Sequence, residues 1–254
     1  MLTIRPGQIQ TLGKTTETEY LKSATAYFEY YDPVTAASAG PGQLQTAARE
    51  GLASARRHGL SSGPGLQLYL ELMITLGSGF DSDPQFHWLS PYLEPESGMG
   101  VIERVRLIHF HAAAYLERAY GPSGEFAKEA LGRALDVLSG LHTQERVVDE
   151  EPFDLLSRLH PEKADFLDLS VAADLQAAAR ETATGAGLLM PPASTLLLLL
   201  LFFFGRHVAS DPLHSWVSDV LTWSGDSEAR FQQLVRSARS RVETDLRYLE
   251  EKVS

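Results

Sequence analysis

Apolar residues recur along this chain at spacings of three and four, the period of a helix with one buried side. In 101–121, Val101, Ile102, Val105, Ile108, Ala112, Leu116 and Ala119 share a face, with His109 beside them. In 227–253, Phe231, Leu234, Val235, Ala238, Val242, Leu246 and Leu249 do the same. The segments 43–59, 125–140 and 163–185 are Ala-rich or amphipathic and read as helices as well. One stretch is ambiguous: every even position of 66–76 is apolar, a pattern that also suits a strand. Its length, Pro64 before it, Gly77 after it and its Leu, Gln, Glu and Met favour a helix. The pattern predicts an all-α, multi-helix bundle, with a short strand near Leu2–Ile4 as an option.

The pattern also repeats. Placing 59–93 above 187–221, at a constant offset of 128, gives 13 identities in 35 positions without a gap. They include Gly59/Gly187, Pro64/Pro192, Gly77/Gly205, Asp83/Asp211, Pro84/Pro212 and Trp88/Trp216. Each has a local role. Proline suits a first helical turn, glycine a left-handed helix stop, and Asp-Pro an N-cap with its first helical residue. The predicted unit is helix, Gly stop, loop, Asp-Pro cap, helix, Trp. "LQTAARE" (44–50) and "LQAAARE" (175–181), alike at six of seven positions, suggest that the preceding helices correspond too. Two related helical halves are expected, 1–121 and 122–254, with a seam inside 141–153.

The second copy is greasier than the first. It contains nine consecutive large apolar residues, Leu196–Phe204. A spanning helix needs about 20 such residues, so a buried helix between Pro192 and Gly205 is expected and no membrane span. Gln67, Glu71 and Thr75 form a polar stripe in the first copy; their counterparts are Thr195, Leu199 and Phe203. That helix is either enclosed on all sides or meets a protein partner, with Leu199, Phe202 and Phe203 as anchors.

Charge and composition narrow the classes. A net charge of −11 disfavours a nucleic-acid binder and an anionic membrane surface. The arginines of the tail (Arg236, Arg239, Arg241, Arg247) alternate with acids and read as a solvated face. Absence of cysteine removes disulfides, thiolate catalysis and cysteine-ligated zinc. No secretion leader is recognised at the N-terminus, so a cytoplasmic protein is expected.

No phosphate loop, dinucleotide fingerprint, nucleophile elbow or metalloprotease motif occurs, and no cofactor is expected. "GSGFDSD" (77–83) lacks the later glycine and glutamate of a calcium loop. His109 is expected as a hydrogen-bonded core histidine. The one catalytic grouping worth testing is Asp81, Asp83 and His87.

The run 58–93 resembles uncharacterised bacterial proteins with a Gly-x-x-Phe-Asp-x-Asp-Pro…Trp signature, typically encoded beside type VI secretion spike and cargo genes. Gly77, Phe80, Asp81, Asp83, Pro84 and Trp88 carry it here; the second half keeps Gly205, Asp211, Pro212 and Trp216. "LTIRPGQIQTL" (2–12) is similar to the usual start of such proteins. The resemblance brings no catalytic residues. It implies a cytoplasmic accessory protein, an adaptor or chaperone for a secretion effector or spike component. An immunity protein that neutralises a cognate toxin is the alternative, and an effector or enzyme with an unfamiliar active site is the second.

Overall fold

The computed structural model describes residues 6–61, 63–143 and 151–253. Among them are twelve α-helices and no strand. In order they are α1 Pro6–Tyr31, α2 Pro33–Arg57, α3 Gly63–Leu76, α4 Ser90–Leu93, α5 Val101–Tyr120 and α6 Glu125–Thr143. There follow α7 Pro152–Leu159, α8 Pro161–Ala164, α9 Leu169–Gly185, α10 Pro191–Phe204, α11 Ser215–Thr222 and α12 Ser227–Val253. The architecture is the expected helix bundle. The optional strand near Leu2–Ile4 and residues 144–150 of the expected seam lie outside the described residues.

Local signals explain most boundaries. Asp32 caps α2 by accepting from Thr35 N, and His160 does the same for α8 from Lys163 N. Gly40, at φ 77°, kinks α2 just before Pro41, so the helix expected at 43–59 has a forerunner from Pro33. The helix expected at 163–185 is two pieces, because Asp168 starts a new one by accepting from Val171 N. After the Asp-Pro pairs the chain runs as 3₁₀ turns, Pro84–Leu89 and Pro212–His214, before continuing as α4 and α11.

The apolar residues form two clusters. One gathers residues from α1 to α5, with Phe28, Leu44, Tyr69, Met73 and Ile108 at its centre. The other gathers residues from α6 to α12 around α10. Two second-half residues cross over: Leu213 is buried in the first cluster and Phe166 packs against it. In the opposite sense, buried Gln85 sends its side-chain amide to Leu201 O at 3.0 Å.

Helix α10 is enclosed, packed mainly by α9 and also by α6 and α12. Leu196, Leu197, Leu199, Leu200 and Phe202 are 0 % exposed. Of the alternatives for this helix, enclosure is what the structure shows. Leu199 and Phe202 therefore offer no free surface to a partner, and Phe203 is half-buried at an internal cavity wall. The expected wet stripe of α3 is real: Gln67 is exposed and Glu71 half-buried, accepting from Tyr27 of α1 at 2.5 Å and Gln67 at 3.0 Å.

Four side chains depart from expectation. His109 is exposed, because α5 turns Arg104, Ile108, Ala112, Tyr115 and Ala119 inward and leaves Val101 and Ile102 outside. Arg241, expected in solvent, is 8 % exposed; it pairs with Asp245 one turn on in α12 and ties that helix to Thr35 of α2.

Candidate functional site: a reciprocal joint and its cavity

The signature residues meet where the C-terminal ends of α3 and α10 touch. Gly77 and Gly205 take positive φ, 105° and 96°. A Cβ on Gly77 would lie 2.8 Å from Phe204 O, and one on Gly205 would lie 3.0 Å from Leu76 O. Both contacts are with backbone, so no side-chain rotation relieves them. Glycine is required here for backbone conformation and for close approach.

Each aspartate of the two Asp-Pro pairs reaches across this contact. Asp83 Oδ2 accepts from Arg206 N at 2.7 Å; Asp211 Oδ2 accepts from Ser78 N at 2.8 Å. Ser78 Oγ adds a 2.5 Å bond to Asp211 Oδ1. Each aspartate also caps its own turn, Asp83 from Gln85 N at 2.9 Å and Asp211 from Leu213 N at 2.8 Å. Both are 3 % exposed, and burial pushes the Asp211 carboxyl above its usual range. Every pair in this exchange is separated by 128 positions: Gly77/Gly205, Ser78/Arg206, Asp83/Asp211 and Gln85/Leu213.

The correspondence extends beyond the signature. Leu60 N donates to Ala55 O and Leu188 N to Ala183 O, closing α2 and α9 alike at offset 128. The two "LQxAARE" segments align instead at an offset of 131, so they do not occupy equivalent places relative to these helix ends. Arg104 donates to Leu93 O at 3.0 Å and His58 O at 2.8 Å, beside Gly59. Arg230 donates to Leu221 O at 3.1 Å beside Gly187. Neither arginine was singled out by sequence. They sit at offset 126, because the stretch from Leu221 to Arg230 is two residues shorter than that from Leu93 to Arg104.

The other signature groups are engaged as well. Phe80 is buried with its ring 4.9 Å from that of Tyr69. Asp81 accepts from His58 Nε2 at 2.9 Å and Tyr69 OH at 2.8 Å. Burial raises its pKa, and those hydrogen bonds outweigh the burial and bring it below the ordinary value. Pro84 and Pro212 each open a 3₁₀ turn. Trp88 packs on Tyr115 at 5.1 Å, and Trp216 meets Phe204 edge-on at 6.1 Å. The grouping Asp81, Asp83, His87 is not assembled: Asp81 serves His58, Asp83 serves Arg206, and exposed His87 contacts Pro84 O. Among the described residues no group of three or more His, Asp or Glu side chains is placed to hold a metal ion.

Beside the joint lies a partly open cavity of about 270 Å³, walled by Gly77, Tyr120, His160, Lys163, Phe203 and Arg241 among others. Lys163 is buried, donates to Phe202 O and sits 4.7 Å from the Phe202 ring centre. Burial lowers its pKa to about 8. Burial also lowers His160 to about 3, and holds His214, near Arg241, well below its ordinary value. The cations here serve packing: Arg241 is paired with Asp245 at 2.8 Å, and Lys163 is held by a carbonyl and a ring.

Comparison with known proteins finds no matching family model, no matching curated protein and no matching solved structure. Among the described residues no helix is long and apolar enough to cross a membrane.

Proposed function

We propose that this chain is a non-catalytic interaction protein built from two related helical halves. On the resemblance of its signature, it serves in the cytoplasm as an adaptor or chaperone for a type VI secretion effector or spike component. One observation carries the non-catalytic reading: every carboxylate of the signature already accepts hydrogen bonds that hold helix ends or, for Asp81, fix Tyr69 and a half-buried histidine. A general acid or base must stand within reach of a substrate proton with its pKa tuned near the working pH. Asp83 and Asp211 instead face backbone amides in the protein interior. The reciprocity at offset 128 supports the relation between the halves, because local likeness alone gives no reason for each aspartate to seek the other half's amide.

The test is native expression of the tagged chain, purification, and identification of what accompanies it. An effector or spike component in fixed proportion is the expected result; its absence overturns the adaptor reading. Expression in a naive host addresses the non-catalytic reading separately. Toxicity there, lost in an Asp81→Ala variant that still folds, would establish an enzyme instead.

A further inference from the structure

The two halves treat one equivalent surface differently. In the second half, α6 lies along α12 and touches α10, and its Leu131, Ala134 and Leu138 share their core. The two helices that α6 packs against carry Leu196 and Leu199 on α10 and Phe231 and Val235 on α12, all 0 % exposed. At offset 128 on α3 and 126 on α5, the same positions in the first half are Leu68, Glu71, Val105 and His109. These four line an open groove with Arg106 and Phe110. Phe110 is 65 % exposed and Ile102, about two turns earlier on α5, is 80 % exposed. Of the exposed large apolar side chains among the described residues, Phe110 lines this groove, and Val101 and Ile102 lie on the same helix.

We propose that the α3/α5 groove is a docking site for an amphipathic helix of a partner protein, which takes the place that α6 occupies in the second half. The proposal rests on the interaction-protein reading above and on the relation between the halves. The occupant's chemistry follows from the groove. Its apolar lining is Leu68, Val105 and exposed Phe110, with exposed Ile102 nearer the start of the same helix, which calls for an apolar stripe at i, i+3, i+4 and i+7. The rim carries Arg106, for which the described residues supply no carboxylate within ion-pairing distance, where the second half has uncharged Gln232. A complementary helix therefore carries an acidic residue beside its stripe. The polar rim suits an exchangeable partner, whereas the apolar counterpart suits permanent packing. A second copy could offer only α5 itself, since α6, α9, α10 and α12 already bury their apolar faces.

Replacement of Phe110 by a photo-crosslinking phenylalanine analogue in the full chain, under native expression, identifies what lies in the groove. The expected product joins position 110 to one other protein, through a segment with that apolar spacing. A synthetic peptide of the segment then binds the purified protein one to one, and binds the Ile102→Glu/Phe110→Glu variant about tenfold or more weaker. Both side chains are exposed, so the variant's thermal melt stays at the wild-type temperature; Phe110→Ala serves if it does not. Cross-linking to a second copy, to the chain's own first residues, to a non-helical segment, or to nothing overturns the proposal. If a secretion component co-purifies equally with wild type and the double variant, the groove proposal falls and the adaptor reading stands. A cross-linked helix from a protein outside any secretion system gives the reverse.

Discussion

Gly77 and Gly205 each close a helix and each admit the other half's backbone, so a single methyl group at either position meets two penalties. The left-handed φ costs an L-residue about 1 kcal/mol, and a Cβ 2.8 to 3.0 Å from a carbonyl oxygen forces the helix ends apart. Gly77→Ala is expected to destabilise by about 2–4 kcal/mol, a fall in Tm of about 5–12 °C for a chain of this size. Gly63 has positive φ and open space around it, so Gly63→Ala isolates the φ cost alone. Thermal melts of both variants make the comparison; equal losses would mean that close approach at the joint contributes nothing. Asp83→Asn provides a second reading of the joint. It keeps an acceptor for Arg206 N but sets an amide NH2 against Gln85 N, so the cap bond is lost and the bond to Arg206 N loses its charge, for an expected loss of about 1–3 kcal/mol.

At the scale of the element, α3 and α10 align at offset 128 and sit in two different environments. Glu71 and Leu199 are equivalent by offset; one is half-buried with Tyr27 and Gln67 as donors, the other enclosed. Leu199→Ala is expected to cost about 2–5 kcal/mol by opening a cavity, whereas Glu71→Ala costs under about 1 kcal/mol. Urea unfolding of the two variants tests this, and a Leu199→Ala loss below that of Glu71→Ala would contradict the enclosure of α10. Much of this was legible from local chemistry. Pro64, Gly77, Asp83, Pro84 and their counterparts mark boundaries because caps and stops act within one turn. The joint was not legible, since Asp83 to Arg206 and Asp211 to Ser78 span more than a hundred residues and leave no periodic trace. Helix α5 misled for another reason. Its inward face includes Arg104, placed there to satisfy carbonyl oxygens of Tyr92, Leu93 and His58, so a purely apolar stripe pointed the wheel towards Val101 and His109. Arg241 hid in the same way, as a charge among charges whose partners Thr35 and Asp245 lie inside.

At the scale of the whole molecule, the boundary between the two apolar clusters is where ionisable groups have been taken out of water. His160 and His214 are 2 % and 4 % exposed there, and both are held neutral by burial. Their folded pKa lies below the unfolded value of about 6.5. Their contribution is therefore complete above that pH and is lost as pH falls, for His160 across the window from about 6.5 down to about 3. Asp211 and Asp245 shift the other way through burial, so their protonation favours the folded state, and it matters nearer the carboxylate range. Between pH 6 and pH 5 the histidines dominate, and stability falls by up to about 1.4 kcal/mol per pH unit for each. The chain itself suggests the control. Position 160 corresponds to Asp32, another N-cap, and position 214 to Phe86, a buried ring. His160→Asn keeps an acceptor for Lys163 N, and His214→Phe keeps the ring against Phe204. The double variant is expected to have a urea midpoint nearly constant from pH 7 to pH 5 while the wild-type midpoint drops. Parallel slopes would show that the acid sensitivity resides elsewhere; a flat double variant would locate it at the boundary that the Asp83 and Asp211 joint holds closed.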